Sequence, residues 1–231
     1  MALLHSYKLA LWLSVIPQIA CFGIAWFFVE PTRHTRKISA NLYAHTKEAL
    51  AQFARNPRLC WLSVANAVTY GFSEANHQFS SAYVRLLIPD WAINLVRSLA
   101  NLCSAASFWF AGRIINAIGY LKLFLHSTWI CLVVQLIALA LNNLFTPLLL
   151  ALLSLFHGVN VTARSSLFQK EFTDEQRATI GSFVSLFGSL TFALVAVLLG
   201  WIADVSTPWM AVLIGFAAPK LVTTPIYWKT L

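Results

Sequence analysis

Long apolar runs, separated by short polar stretches, make up most of this chain. A helix that crosses a bilayer needs about 20 mostly apolar residues. Seven segments have that character: Leu9–Val29, Trp61–Tyr83, Trp91–Ile115, Leu121–Leu141, Leu144–Leu167, Thr179–Ile202 and Pro208–Trp228. The breakers between them agree. Glu30-Pro31 ends the first run, because the residue before a proline avoids the α region. Pro89-Asp90 divides the second run from the third, with Asp90 placed to N-cap the third helix. Thr173-Asp-Glu-Gln176 has the spacing of a capping box, so the sixth helix is expected to start just outside the membrane. The expected fold class is all-α: a polytopic membrane helix bundle of about seven transmembrane helices.

Composition strengthens this reading. Of 231 residues, 59% are hydrophobic and only 10% are charged, with a mean hydropathy of +0.71. A soluble domain carries roughly a quarter charged residues. The net charge of +8 raises the question of nucleic acid. The basic residues, however, sit between apolar runs, where membrane proteins keep their cytoplasmic charge, and no nucleic-acid partner is expected. One side would hold Arg33, Arg36, Lys37, Lys47, Arg55 and Arg58 in the one long connection. It would also hold Arg113 and Lys122, then Arg164, Lys170 and Arg177 in later turns, and Lys229 at the end. The other side holds only Lys8 and Arg85. The positive-inside rule then places the N-terminus outside and the C-terminus in the cytoplasm of a plasma-membrane protein. No small-residue cleavage site follows Met1 to Tyr7, so the first run reads as a retained span.

The segments group into residues 1–29, a single span; 30–60, a basic cytoplasmic linker; and 61–231, a six-helix bundle. Within the linker, Leu42, Tyr43, Leu50, Phe53 and Ala54 fall on one face of a short helix able to lie on a membrane surface. The alternative is a solvated connection with scattered basic charge. A weak repeat joins the two ends of the bundle: Gly112-Arg-Ile-Ile-Asn116 closes the third helix and Gly200-Trp-Ile-Ala-Asp204 closes the sixth. Each occupies the same position of a three-helix unit. Because three is odd, the two units run inverted across the membrane, an arrangement common in transporters.

Together these stretches resemble the last seven of the twelve helices of the major facilitator superfamily. That family carries a Gly-x-x-x-Asp-Arg-x-Gly-Arg/Lys type loop after its second and eighth helices. Here the stretch reads Gly112-Arg-Ile-Ile-Asn116-Ala117-Ile-Gly119-Tyr-Leu-Lys122. The glycines match; Asn116 and Ala117 replace the usual Asp and Arg, and the final basic residue is displaced, which argues against a charge-based latch. Gln176-Arg-Ala-Thr179 with Gly181-Ser182, and Gly200 to Asp204, look like the two ends of the family's eleventh helix. Phe28-Val-Glu30-Pro31 looks like the end of its sixth. The resemblance covers nearly the whole chain. It implies helices six to twelve of the fold, with the central cytoplasmic linker, and a truncated or half carrier.

The second predicted helix holds the most informative polar residues. Asn66, Tyr70, Glu74 and Gln78 recur every four residues, with His77 and Ser81 beside them, and such neighbours share a helix face. Glu74 is the only acidic residue inside the predicted spans. A charge at the bilayer centre costs roughly 2.5–3.5 kcal/mol on insertion scales. Glu74 is therefore expected at a substrate or proton-coupling site, in a structural pair with Arg97, or protonated and hydrogen-bonded to Asn66 or Gln78. The third helix carries Asn94, Arg97, Asn101 and Ser104 on one face, with Arg97 also placed to snorkel outward. The fifth carries His157, Asn160 and Arg164. Histidine titrates near neutral pH, which suits proton movement, though a lone intramembrane histidine is more often a packing residue. Gly181, Ser185 and Ser189 form a small-xxx-small stripe suited to close helix packing. Lys220 lies deep in the last run, to snorkel inward or to mark a shorter helix.

Nothing in the chain resembles a catalytic site: there is no HExxH, no nucleophile elbow and no phosphate-binding glycine loop. The four cysteines, Cys21, Cys60, Cys103 and Cys131, are widely spaced and read as small hydrophobes, so neither a metal nor another cofactor is expected. The expected function is part of a secondary active transporter. It would move a small solute, alone or with a coupling proton or cation, against a missing N-terminal half or a second copy in the lipid bilayer. The competing expectations are a non-transporting membrane interaction protein and, less well matched by the short outer loops, a seven-helix receptor.

Overall fold

A computed structural model describes residues 7–27, 42–171 and 177–230. All regular structure among them is helical. Met1–Ala40 and Asn41–Leu231 form separate compact units. In the first, α1 spans Tyr7–Trp26 with Pro17 inside it. The expected stop at Glu30-Pro31 lies outside the described residues, as does the capping box at Thr173–Gln176.

The second unit begins with α2 (Leu42–Arg55), confirming a short helix within the expected linker. The Phe53 ring meets Phe183 edge-on at 6.5 Å. Both pack on buried Leu59, Ile180 and Val184, so at this point α2 faces the helix bundle. Helix α3 comes almost at once (Pro57–Arg85), with Pro57 in its first turn and Asn56 Oδ1 accepting from the Leu59 amide at 3.1 Å. Helix α4 spans Asp90–Ile118. Its N-cap is Pro89; Asp90 is already helical and its carboxylate pairs with Arg85 at 2.9 Å, in place of the expected capping role. A single residue, Gly119, separates α4 from α5 (Tyr120–Leu141), and its φ of 87° lies where only glycine is unstrained.

The run expected as one helix over Leu144–Leu167 is interrupted. Helix α6 (Thr146–Leu152) gives way to a 3-10 turn at Leu153–Phe156, and α7 (His157–Gln169) continues from it. The tighter turn leaves the Val159 N–H to donate to Ser107 Oγ of α4 at 3.1 Å. A neighbouring helix thus satisfies a backbone group that the break exposes, as an apolar environment requires. Helices α8 (Arg177–Val205) and α9 (Pro208–Thr230) complete the unit.

Among the described residues, four segments are long and apolar enough to cross a membrane by length and composition: Lys122–Leu141, Thr146–Gln169, Arg177–Val205 and Pro208–Lys229. Helices α3 and α4 have 29 residues each, roughly 44 Å of rise, so length does not limit them. Their polar side chains are what lower their hydropathy. Outside the bundle, large apolar side chains such as Trp109, Leu194 and Val197 are exposed, the surface expected of a protein solvated by lipid.

Packing is reciprocal between the two three-helix units. Helix α3 packs most extensively on α8 and α9, while the α6–α7 segment packs on α4 and α5. The first helix of each unit therefore leans on the second and third helices of the other. The closest approaches repeat the same exchange. A Cβ on Gly71 of α3 would lie 2.7 Å from Thr191 of α8; one on Gly158 of α7 would lie 2.4 Å from the Phe108 amide of α4. The expected stripe of Gly181, Ser185 and Ser189 does not make such a seam. Both serines are exposed, and a Cβ on Gly181 would meet nothing within 4 Å. On α8 it is Ile180, Val184, Gly188, Val195 and Leu199 that are buried.

Candidate functional site

The sparse contact of α3 with α4 and α7 leaves a cavity of about 410 Å³ within the second unit. Two apolar clusters bound it along α3. Leu62, Ala65, Phe124, Ala163 and Tyr227 pack at one end. Tyr83, Val84, Ile88, Leu139 and Val212 pack at the other.

Between these clusters the wall is polar. Helix α3 contributes Thr69, Ser73, Asn76, His77, Ser80 and Ser81. Steps of three and four keep such residues on one helical face. From α4 comes Arg97, whose Nη2 donates to Ser81 Oγ. Helix α5 supplies Thr128, Cys131 and Gln135, and α7 supplies His157, Asn160 and Arg164, again at steps of three and four. Helix α9 adds Gly215, Phe216, Lys220 and Thr223. Lys220 Nζ donates to Gln135 Oε1 and lies 6.0 Å from the centre of the Phe216 ring. The Ser127 hydroxyl donates to Asn160 Oδ1, and the His157 ring stands edge-on to Phe108 at 5.9 Å.

Two features set the chemistry of this space. The first is charge: Arg97, Arg164 and Lys220 all line it, and among the described residues no aspartate or glutamate does. The second is Asn76, only 3% exposed, whose Oδ1 has no hydrogen-bond partner among the described residues. That oxygen is tucked against the backbone of Gly215, where a Cβ would come within 2.4 Å of it. A buried amide oxygen left unpaired costs about 1–3 kcal/mol, so its position beside a cavity is informative.

Of the residues expected from sequence to carry function, His77, Arg97, His157 and Asn160 line the cavity together. Asn66, Tyr70, Glu74, Gln78 and Asn101 do not. Tyr70 packs against Gly188 of α8, and Glu74 and Gln78 continue from it on the exposed side of α3. Glu74 and Arg97 form no ion pair: the Arg97 guanidinium is bonded to Ser81, and acids elsewhere in the bundle take other partners, as in Arg58–Glu171 and Arg85–Asp90. The loop motif lies elsewhere: Gly112 and Asn116 belong to α4, Gly119 forms the one-residue junction, and Lys122 is exposed in the first turn of α5.

Two cations occupy other places than their sequence context implied. Arg164, counted with a cytoplasmic turn, sits half-buried inside α7. Lys220 belongs to an unbroken α9 of 23 residues and points into the cavity. The sequence signal for this wall was a second polar stripe on α3, at positions 69, 73, 76 and 80, next to the one containing Glu74. Compared with protein-family models, curated proteins and solved structures, the chain matches none.

Proposed function

We propose that this chain forms part of a secondary active transporter, the half that corresponds to the C-terminal bundle of the major facilitator fold together with the preceding helix and cytoplasmic linker. It moves a small solute across the membrane by alternating access. The observation that carries this reading is the polar cavity of about 410 Å³, set among reciprocally packed three-helix units and flanked by an interrupted helix. Broken helices next to a mid-membrane site, and units related by inversion, are the recurring construction of such carriers. Ligand pockets of several hundred Å³ suit small molecules.

In this reading α1, α3, α4, α5, the α6–α7 segment, α8 and α9 each cross the bilayer, seven spans in all. Helices α3 and α4 tolerate their polar residues because these face the cavity or a second half. His77 of α3 and His157 of α7 line the cavity and are exposed, and an N-terminal half or a second copy would cover them. No chemical transformation of the solute is involved.

Cysteine labelling tests the topology. Asp90→Cys should react only from outside and Lys170→Cys only from the cytoplasm, because three crossings separate them. Labelling of both from one side would refute that count. Transport tests the rest. Proteoliposomes containing this chain alone should take up no solute above empty vesicles, and adding the five missing helices of the N-terminal half should give uptake. Uptake by the chain alone would overturn the half-carrier reading.

A further inference from the structure

The cavity wall is built as though for one class of solute. Arg97, Arg164 and Lys220 come from three different helices, so no single amphipathic stripe accounts for their convergence. Arg164 and Lys220 are half-buried, and Lys220 in particular sits in the middle of its helix, too far in to count as a helix-end residue reaching the interface. Charges held away from water are retained where they meet a counter-charge or a polar pathway, since desolvating an ion costs several kcal/mol.

The acids among the described residues do not supply that counter-charge. Glu171 pairs with Arg58 at 3.0 Å, Asp90 pairs with Arg85, and Glu48, Glu74 and Asp204 lie outside the cavity wall. The hydrogen bonds that Arg97 and Lys220 make here are to neutral groups, Ser81 and Gln135. Around them stand further hydroxyls and amides, Thr69, Ser73, Thr128 and Asn160, suited to the remaining oxygens of a bound group.

The cations also occupy successive levels. Arg97 is beside Ser81. Lys220 comes soon after Gly215, which packs on Asn76. Arg164 is next to Ala163, which shares a cluster with Ala65. From Ser81 to Ala65 is 81 − 65 = 16 residues of α3, roughly 24 Å of helix rise. One small molecule does not span that length. The arrangement is a series of positive stations, with Arg97 at one end.

We propose that this cavity binds a small oxyanion bearing at least two negative charges, a carboxylate or phosphate compound, held between Lys220 and Arg164 and drawn in past Arg97. As the solute of the carrier, this assignment rests on the function proposed above; as a binding site, it stands on the cavity alone.

The test uses the purified chain in zwitterionic detergent, with ionic strength held by choline chloride. Equilibrium dialysis against radiolabelled inorganic phosphate should give saturable binding, displaced by citrate and unaffected by glucose. Lys220→Gln and Arg164→Gln should each weaken it tenfold or more, and Lys220→Arg less than threefold. Absence of saturable binding to the unaltered chain overturns the proposal, whatever the variants do. So does equal binding by the Lys220→Gln/Arg164→Gln double variant, provided its melting transition shows it folded. A lipid phosphate offers the same chemistry, so a parallel arm adds phosphatidylglycerol. Displacement by that lipid but not by citrate would overturn the soluble-solute assignment. Failure of this proposal and failure of the carrier reading are separable. Binding without uptake in the assembled carrier retires the carrier; uptake confined to neutral or cationic solutes retires the anion.

Discussion

Along α3, Thr69, Ser73, Asn76 and Ser80 face the cavity, whereas Asn66, Tyr70, Glu74 and Gln78 do not line it. Both stripes are polar and both have helical spacing; they differ by about one residue, or roughly 100° of helix rotation. The first is turned toward α4, α5, α7 and α9. The second begins beside Gly188 of α8 and continues on the exposed side. The first stripe therefore shares its space with Arg97, Arg164 and Lys220, and the second meets none of them. Polarity in a membrane helix marks a face that is not turned to lipid. Whether such a face meets an internal cavity or the outside of the bundle is a matter of which helices lie opposite.

The sharpest way to break this comparison is to disturb the seam that holds the cavity wall in place. Gly158→Leu puts side-chain atoms where a Cβ alone would lie 2.4 Å from the Phe108 amide. Overpacking against backbone costs about 3 kcal/mol or more. This variant should fail to give a monodisperse species on size exclusion, or should melt more than about 10 °C lower. Gly112→Ala, where a Cβ meets nothing within 4 Å, should leave the melting temperature within about 2 °C. Equal behaviour of the two would mean that α4 and α7 do not approach as described.

A second pair of variants compares the stripes directly. Asn76→Asp adds a carboxylate to a wall that has none among the described residues, at nearly constant volume. Phosphate binding measured by equilibrium dialysis should weaken about tenfold or more, as expected when a like charge opposes an anion at close range. Gln78→Glu adds the same charge on the outer stripe and should change binding less than about twofold, since exposed charges at a distance are screened. A larger effect from Gln78→Glu would exchange the roles of the two faces.

The smallest effect expected concerns Glu74 and Arg97. Because Arg97 bonds to Ser81 and no ion pair joins it to Glu74, a double-mutant cycle of Glu74→Gln and Arg97→Gln should give a coupling energy below about 0.5 kcal/mol in thermal melts of the isolated chain. A coupling above about 1 kcal/mol would show that the two do meet. In an assembled carrier, loss of pH-dependent uptake on Glu74→Gln, with the melting temperature unchanged, would return Glu74 to the coupling role its position in the sequence first indicated.

Sequence periodicity located most helices to within a few residues, because apolar runs of span length and their proline and glycine boundaries are local signals. It also singled out His77, Arg97, His157 and Asn160, whose types are rare in apolar runs and which line one cavity. It missed the 3-10 break at Leu153–Phe156, because nothing in Leu-Ser-Leu-Phe forbids a continuous helix. The break is stabilised from outside the segment, by Ser107 accepting the freed amide of Val159. It also misjudged Asp90, since Pro89 and Asp90 both suit a helix start and the nearby Arg85 decides between them.

Helical content, the apolar runs and the short list of residues costly to place in lipid were determined by the sequence alone. Each of these comes from composition over one or two turns. Only the tertiary structure decided which polar stripe of α3 meets the cavity. Only it brought Arg164 and Lys220, 56 positions apart (220 − 164), onto one wall. The physical reason is that a helix presents all its faces equally. Selection among them comes from close approaches such as Gly71 on α8 and Gly158 on α4, which fix the rotation of each helix about its own axis.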